Sequence, residues 1–399
     1  MAVQLLRLAR VDSTNRYAAD HYDELADGTL VCADEQTAGR GRCGRRWLSP
    51  PGVNIYATLV MKRVTVPHLT AAVVGLAGLA LARELVPGLP AYLKWPNDIY
   101  VRRAKLALPA GRIRAVMDTD TFNEIDDQFA VSMAMLAPEK FDMRAITAAP
   151  FFNDNSTGPA DGMEKSYEEI LRLLKLLHHS PENFAYRGST GYLPDRDTPL
   201  DSPAARRIVE LAHEADRDGE TLYILSIGAI TNVASALLLD PAIAAMTVVV
   251  WLGGHPVWWP HTREFNLRQD IPAAQVVLDC GVPLIRIPCM SVAELLLLGR
   301  DEIAARCVPT GPLGEFLAKR TIDALDTYSG YSRTIWDIST VAYFLVPKAF
   351  DAPVVPTPVL IDDGPWRLDP ARHECVEVRH IYRDPVFDEL FRRLAQAPR

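Results

Sequence analysis

The stretch Val116–Val131 reads VMDTDTFNEIDDQFAV, and its interpretation decides the fold. Two acidic pairs, Asp118/Asp120 and Asp126/Asp127, stand close together in it. A β-branched apolar run with Ile113 and Val116 precedes them, and a helix is expected from Gln128 onward. A strand that delivers carboxylates into a turn and then a helix places them at the carboxyl end of a parallel sheet. Open α/β sheets bind their ligands there. Four carboxylates packed this closely repel one another, so a positive partner is expected. A hard divalent cation bound through oxygen meets that need, with Ca²⁺ the first candidate. The bland alternative is a solvated acidic turn.

Working outward, strand-like and helix-like runs alternate from Arg112 to the end of the chain. Strands are expected at Arg144–Ala148, Leu222–Ile227, Thr247–Leu252 and Leu284–Pro288. Helices are expected at Tyr167–His178, Pro203–Ala215, Asn232–Leu239 and Ile271–Leu278. Asp201 and Ser202 ahead of Pro203 form a capping signal with proline in the first turn. Such alternation predicts an α/β fold, an open and mostly parallel sheet with helices on both faces.

The chain has 399 residues, of which 49% are hydrophobic, enough for more than one domain and a large core. Its net charge is −8, but the sign is unevenly spread. Residues 1–110 carry 14 Lys/Arg against 9 Asp/Glu, while the remainder carries 28 against 41. That reversal suggests two segments of different origin. Six cysteines (Cys32, Cys43, Cys280, Cys289, Cys307 and Cys375) show no CxxC spacing, which argues against zinc ribbons and redox motifs. Reduced thiols in a cytoplasm are expected. The opening MAVQLLRLAR has too short an apolar run for a signal peptide. The longest apolar run, Leu69–Ala82, falls short of the roughly 20 residues of a membrane span and reads as a buried helix.

The acidic stretch resembles the signature of the nucleoside hydrolases, the Ca²⁺-dependent N-ribohydrolases. Their usual pattern is D-x-D-x-x-x-D-D, and here the turn is two residues longer. Four further motifs follow in the family's order: ITAAPFFND (Ile146–Asp154), LSIGAITNVASALLLDP (Leu225–Pro241), WLGGH (Trp251–His255) with REFNLRQDIPAAQVVL after it, and IWDISTVAYFLVP (Ile335–Pro347). The resemblance covers about 112–395. It implies that Asp120, Asp127, Asp337 and the backbone carbonyl of Ile227 hold Ca²⁺, and that Asp120 takes the proton of the attacking water. It implies that Asp126, Asn153, Glu264 and Asn266 bind the ribose hydroxyls, with Asp118 supporting the loop from behind. Taken singly, Asn153 could cap a turn, Glu264 could be a surface charge, and Asp337 could be an ordinary N-cap.

The sequence departs from many family members at the leaving group. They carry His-Asp where this chain has Trp336-Asp337. Tryptophan donates no useful proton, although it can stack on a base. His255 and His261 are the candidate replacement acids, and Trp258 and Trp259 a candidate aromatic wall; all four have surface or structural alternatives. The expected substrate is a purine or pyrimidine ribonucleoside, and a homo-oligomer would suit the family.

Before this lies a DSTN turn (Asp12–Asn15), then GTLVCADEQTAGRGRCGRRW (Gly28–Trp47), then LKWPNDIYV (Leu93–Val101). Glycines alternating with arginines make a loop suited to gripping phosphate or carboxylate. In an acidic protein one such patch is a poor argument for nucleic acid. The three motifs together resemble the amino-terminal part of the biotin protein ligase catalytic domain. That resemblance implies an Arg40, Arg42, Arg45 loop over biotinyl-adenylate. It implies Ser13, Thr14, Gln36 and Trp47 at biotin, and Lys94, Asn97 and Asp98 beside the adenylate, with Lys105 at the segment's end. Cys43 stands where the family commonly has a basic residue. The G-I-G-x-N-x-N strand that should follow occurs nowhere in the chain. We therefore expect residues 1–107 to be an incomplete α+β biotin ligase-like segment without ligase activity. A break at 108–111 (LPAG) and a hydrolase-like domain over 112–399 follow. The alternatives are retained biotin ligase activity in a bifunctional fusion, or a riboside-binding protein that has lost hydrolysis.

Overall fold

The computed structural model describes residues 4–38, 56–60, 62, 91–94, 98–101, 109, 111–327, 330–361 and 365–398, with backbone alone at 91–94 and 98–101. Two compact units divide the chain, Met1–Lys105 and Leu106–Arg399.

In the first unit, strands Gln4–Leu8 and Thr29–Ala33 pair in parallel, and Tyr56–Leu59 joins antiparallel to the latter. A short helix, Thr14–Asp20, follows the first strand, so the expected DSTN turn is already helical at Thr14 and Asn15. Ala18, Val31 and Val60 form a small core. Leu5 and Leu59 on this sheet are 63% and 41% exposed. Ala91–Lys94 and Asp98–Val101 form an antiparallel pair. Arg40, Arg42, Cys43, Arg45, Trp47, Asn97, Lys105 and the run Leu69–Ala82 lie outside the described residues.

The second unit is built on eight strands: β1 (Ile113–Thr119), β2 (Phe141–Ala148), β3 (Ala185–Tyr186), β4 (Leu222–Ser226), β5 (Thr247–Leu252), β6 (Leu284–Ile287), β7 (Val354–Pro356) and β8 (Glu374–Glu377). Their order across the sheet is β7-β8-β6-β5-β4-β1-β2-β3. Every neighbouring pair is parallel except the edge pair β7–β8. Alternation along the central strands sorts side chains to two faces, as a period of two requires. On one face Ala115, Met117, Leu225 and Val250 pack with α1 (Asp127–Met135), α2 (Pro159–Leu176) and the helices Pro312–Thr327, Ile338–Leu345 and Arg383–Leu394. On the other, Val116, Ile224, Val249 and Trp251 pack with α3 (Pro203–Arg217), α4 (Thr231–Leu239) and Ile271–Asp279. This is the expected open α/β sheet with helices on both faces. Ser202 caps α3 by accepting from the Ala205 amide at 3.1 Å, with Pro203 in the first turn. Among the described residues no helix is long and apolar enough to cross a membrane.

Candidate active site

β1 ends in Asp118 and Thr119, and the chain then turns through Asp120 to enter α1 at Asp127. The turn is closed from inside. Gln128 Nε2 donates to the Thr121 carbonyl at 2.7 Å, and the Asn123 amide donates to the Asp120 carbonyl at 2.7 Å. The longer turn therefore folds inward, with Thr121 and Asn123 buried.

Asp118 lies behind the site. Thr147 Oγ1 and Asn232 Nδ2 both donate to its Oδ1, at 2.7 and 2.8 Å. Burial pushes its carboxyl up to about 6, against these two stabilising donors. Asn232 was not singled out from the sequence, yet its amide spends every group. It also donates to the Ala148 carbonyl and accepts from the Ser189 amide and hydroxyl.

Four other aspartates face the pocket. Asp126, Asp127 and Asp337 bring carboxylate oxygens within 4.8 Å of one another. Asp120 stands outside that triplet but beside it, with both carboxylate oxygens buried and without a hydrogen-bond partner. Gly228 packs against it, since a Cβ there would lie 3.0 Å from Asp120 Cγ. Burial, then the charges of Asp127 and Asp126, hold Asp120 well above the carboxylate range. Burial and the neighbouring Asp126, Asp127 and Asp120 do the same to Asp337. Asp127 rises to about 6 through burial, opposed by Thr119 Oγ1 donating to its Oδ1 at 2.6 Å. Asp126 is raised by burial and by Glu124, and accepts from the Trp336 amide at 3.0 Å. Asp126 and Asp337 both occupy helix N-cap positions, but neither side chain makes the cap hydrogen bond. Both carboxylates are thus left to the pocket rather than to their helices.

These aspartates line a cavity of about 310 Å³ that also meets Asn123, Ile227, His255, Glu264, Asn266, Cys289 and Trp336. Glu264 is the N-cap of the short helix Phe265–Gln269, accepting from the Asn266 and Leu267 amides, and it also takes the Gly254 amide. Gly254 has φ +74°, a left-handed conformation that suits glycine. Asn266 Nδ2 donates to the carbonyls of Leu252 and Ile227, at 3.0 and 3.3 Å. Asn153 is not part of the lining. It donates to Asn123, which is, and caps its own turn by accepting from the Asn155 amide at 2.8 Å.

His255 is buried, and burial pushes its imidazole down to about 4, with its Nδ1 left without a hydrogen-bond partner among the described residues. His261 lies outside the lining, with its ring 5.2 Å from that of His255 and its Nδ1 accepting from the Arg263 amide at 3.3 Å. Trp259 packs 5.5 Å from His255, and Trp258 is 54% exposed. Behind this loop sits a fully buried ion pair, Arg286–Glu377. Arg286 Nη1 donates to the His255 carbonyl at 2.9 Å, and Trp366 Nε1 donates to the same oxygen at 2.8 Å.

In the first unit, Thr14 donates twice to Gln36 Oε1, from its amide at 2.7 Å and its hydroxyl at 3.1 Å. Ser13 occupies the N-cap of the adjoining helix. Lys94 and Asp98 are opposite one another in the antiparallel pair.

A covered parallel sheet with a carboxylate-lined pocket at the ends of its strands is a ligand-binding arrangement of open α/β proteins, and the family matched makes this one an N-glycosyl hydrolase. The family model of the inosine-uridine preferring nucleoside hydrolases matches residues 115–379, most of the chain, and the chain belongs to that family. The pyrimidine-specific ribonucleoside hydrolase RihA of Shewanella oneidensis is 25% identical over 258 residues, 57% of this chain and 76% of that protein. The purine-preferring ribonucleoside hydrolase of Gardnerella vaginalis shares the fold with a TM-score of 0.58 at 22% identity, over 71% of this chain and 98% of that one. Residues 8–112 match the model of the biotin/lipoate A/B protein ligase family. There the bifunctional ligase/repressor BirA of Escherichia coli is 42% identical over 103 residues, 24% of this chain and 31% of that protein. The chain spans under half the length of the ligase relatives it matches.

Proposed function

We propose that the chain is a Ca²⁺-dependent nucleoside N-ribohydrolase that releases ribose and free base. The observation that carries this is Asp120, whose two buried oxygens have no partner in a pocket crowded with other carboxylates. A buried carboxylate without a partner is strongly disfavoured, so such a site fits a hard cation. Asp120, Asp127, Asp337 and the Ile227 carbonyl would hold it, and the closeness of Asp126 to Asp127 and Asp337 adds a fourth carboxylate in reach. When bound, a divalent cation would supply the positive charge that keeps these groups ionised and would acidify the attacking water. Asp120 takes that water's proton. Asp126, Glu264 and Asn266 bind the ribose hydroxyls and favour a ring with oxocarbenium character. Asn153 acts through Asn123. We assign proton donation to the departing base to solvent, because His255 is neutral at pH 7, and Trp336 to stacking on the base.

We further propose that the domain boundary falls at the Leu108–Gly111 break and that residues 1–107 are catalytically inert as a biotin ligase. The missing G-I-G-x-N-x-N strand and the exposed Leu5 and Leu59 support this. The described cysteines are all free thiols, which suits a cytoplasmic enzyme.

The test is reducing-sugar release from a panel of purine and pyrimidine ribonucleosides with Ca²⁺, after chelation, and with Asp120→Asn. Release should vanish on chelation, return with Ca²⁺, and fall at least about 1,000-fold in the variant, since base and cation site are lost together. Cation binding with no release from any ribonucleoside would sink the hydrolase reading and favour a riboside-binding protein.

A further inference from the structure

Two guanidinium groups share the pocket with the aspartates. Arg263 and Arg268 both line it, one on each side of Glu264 in sequence, and both are exposed. Most described arginines are ion-paired, including Arg333 with Glu124 on the same pocket and the buried Arg286 with Glu377. Among the described residues, neither Arg263 nor Arg268 has a carboxylate partner; Arg268 only lies over the Phe265 ring, 5.4 Å from its centroid. Of the glutamates on the pocket, Glu264 accepts from three backbone amides and Glu124 pairs with Arg333, and among the described residues no ion pair joins either arginine to the aspartates.

The position of Arg263 is also built rather than loose. Its amide donates to the ring of His261, which lies 5.2 Å from that of His255. The His255 carbonyl is in turn fixed by the buried Arg286 and by Trp366. Arg268 belongs to the helix that Glu264 caps.

We propose that Arg263 and Arg268 bind a phosphate on C5′ of the substrate, making a ribonucleoside 5′-monophosphate the preferred N-riboside. Guanidinium forks match phosphate oxygens in bidentate fashion. This rests on the ribohydrolase reading, in which Asp126, Glu264 and Asn266 take ribose hydroxyls and C1′ carries the base; we place the 2′ and 3′ hydroxyls beside Asp126 and the cation site, and the 5′ end beside Glu264 and its flanking arginines. In that orientation C5′ carries its substituent toward the arginines. In the reaction the C1′–N bond breaks, water oxygen bonds to C1′, and one water proton passes to Asp120. The base leaves with a proton from solvent, and the phosphate ester stays intact, so the products are ribose 5-phosphate and free base.

The experiment compares kcat/KM of the full-length protein for uridine against uridine 5′-monophosphate and inosine against inosine 5′-monophosphate, with orotidine as a riboside whose anion is on the base. Wild type should favour the monophosphates by about tenfold or more. R263Q/R268Q should bring that ratio close to one, and R263K/R268K, which keeps the charge but not the fork, should keep part of it. A wild type that prefers the parent nucleosides, with a ratio unmoved by the arginine changes, overturns the proposal. So does an arginine-dependent preference for orotidine in place of the monophosphates, which would put the anion on the base. If nothing is cleaved, the ribohydrolase reading has failed, and calorimetry with ribose 5-phosphate and ribose decides the phosphate site separately. Binding of ribose 5-phosphate that weakens about tenfold in R263Q/R268Q sustains it, and equal binding by both proteins overturns it.

Discussion

Asp120 and His255 face the same pocket, yet burial moves them in opposite directions. The carboxyl of Asp120 is held well above its ordinary range, while the imidazole of His255 is pushed down to about 4. For His255 the consequence for stability has a definite sign. Between the ordinary histidine value near 6.5 and about 4, the unfolded chain takes a proton that the native protein refuses. Stability from this group therefore falls as pH drops through that window. His255→Gln removes the effect, so its melting temperature relative to wild type should rise on going from pH 7.5 to pH 4.5. Paired thermal scans at the two pH values check this, because titrations common to both proteins cancel. The same variant addresses catalysis. A neutral His255 is no proton donor, so H255Q should fall well short of the roughly 100-fold loss expected on removing a general acid. The presence of both residues near the pocket was readable from their motifs. Their protonation was not, because it depends on what buries them.

At the scale of elements, the strands were legible as short, nearly continuous apolar runs such as TVVVWL at Thr247–Leu252, because both faces of the sheet are covered. Helix starts were harder to place. α2 begins at Pro159, well before the expected Tyr167, because PADGMEKS offers little apolar periodicity. What holds that turn in place is close packing: a Cβ on Gly162 would meet the Phe151 carbonyl oxygen at 2.0 Å. Asn232 shows the same limit. It sits at the start of α4 and joins the Asp118 carboxylate on β1, the Ala148 carbonyl on β2 and Ser189. Asn232→Ala would strand several buried polar groups at once. We expect a loss of about 3 kcal/mol in denaturant unfolding, since one such group alone is worth roughly 1–3. Asn232→Asp should also destabilise, by setting a second carboxylate against Asp118. A loss under about 1 kcal/mol for the alanine variant would show that the network is not a structural tie.

For the whole molecule, the reversal of charge near residue 110 coincides with a change in the families matched, at 8–112 and then 115–379. The second unit holds its own two-faced core, with the helices of both layers drawn from its own residues. Residues 106–399 expressed alone should therefore fold cooperatively and retain the cation-dependent hydrolysis of the full chain. Far-UV and near-UV circular dichroism beside the sugar-release assay measure both. A soluble but molten fragment would mean that the first unit is needed for packing. Biotinyl transfer from ATP and biotin should be absent in the full chain.

Local order along the chain was enough to determine the alternating elements, the parallel sheet and the delivery of Asp118, Asp120, Asp126 and Asp127 to a strand end. These follow from short continuous apolar runs alternating with stretches of 3.6-residue periodicity, which a short window displays. Only the tertiary structure decided which groups converge there. Asp337 reaches Asp126 and Asp127 from a distant helix, Asn266 meets the Ile227 carbonyl across neighbouring strand ends, and Asn153 stops one residue short of the lining behind Asn123. It alone also decided that Glu264 caps a helix while lining the pocket and that Arg263 and Arg268 stand without a carboxylate partner there among the described residues. Convergence of this kind is set by the closing of strand ends around a cavity, and burial there sets the charge of each group. Neither quantity is carried by neighbours in sequence.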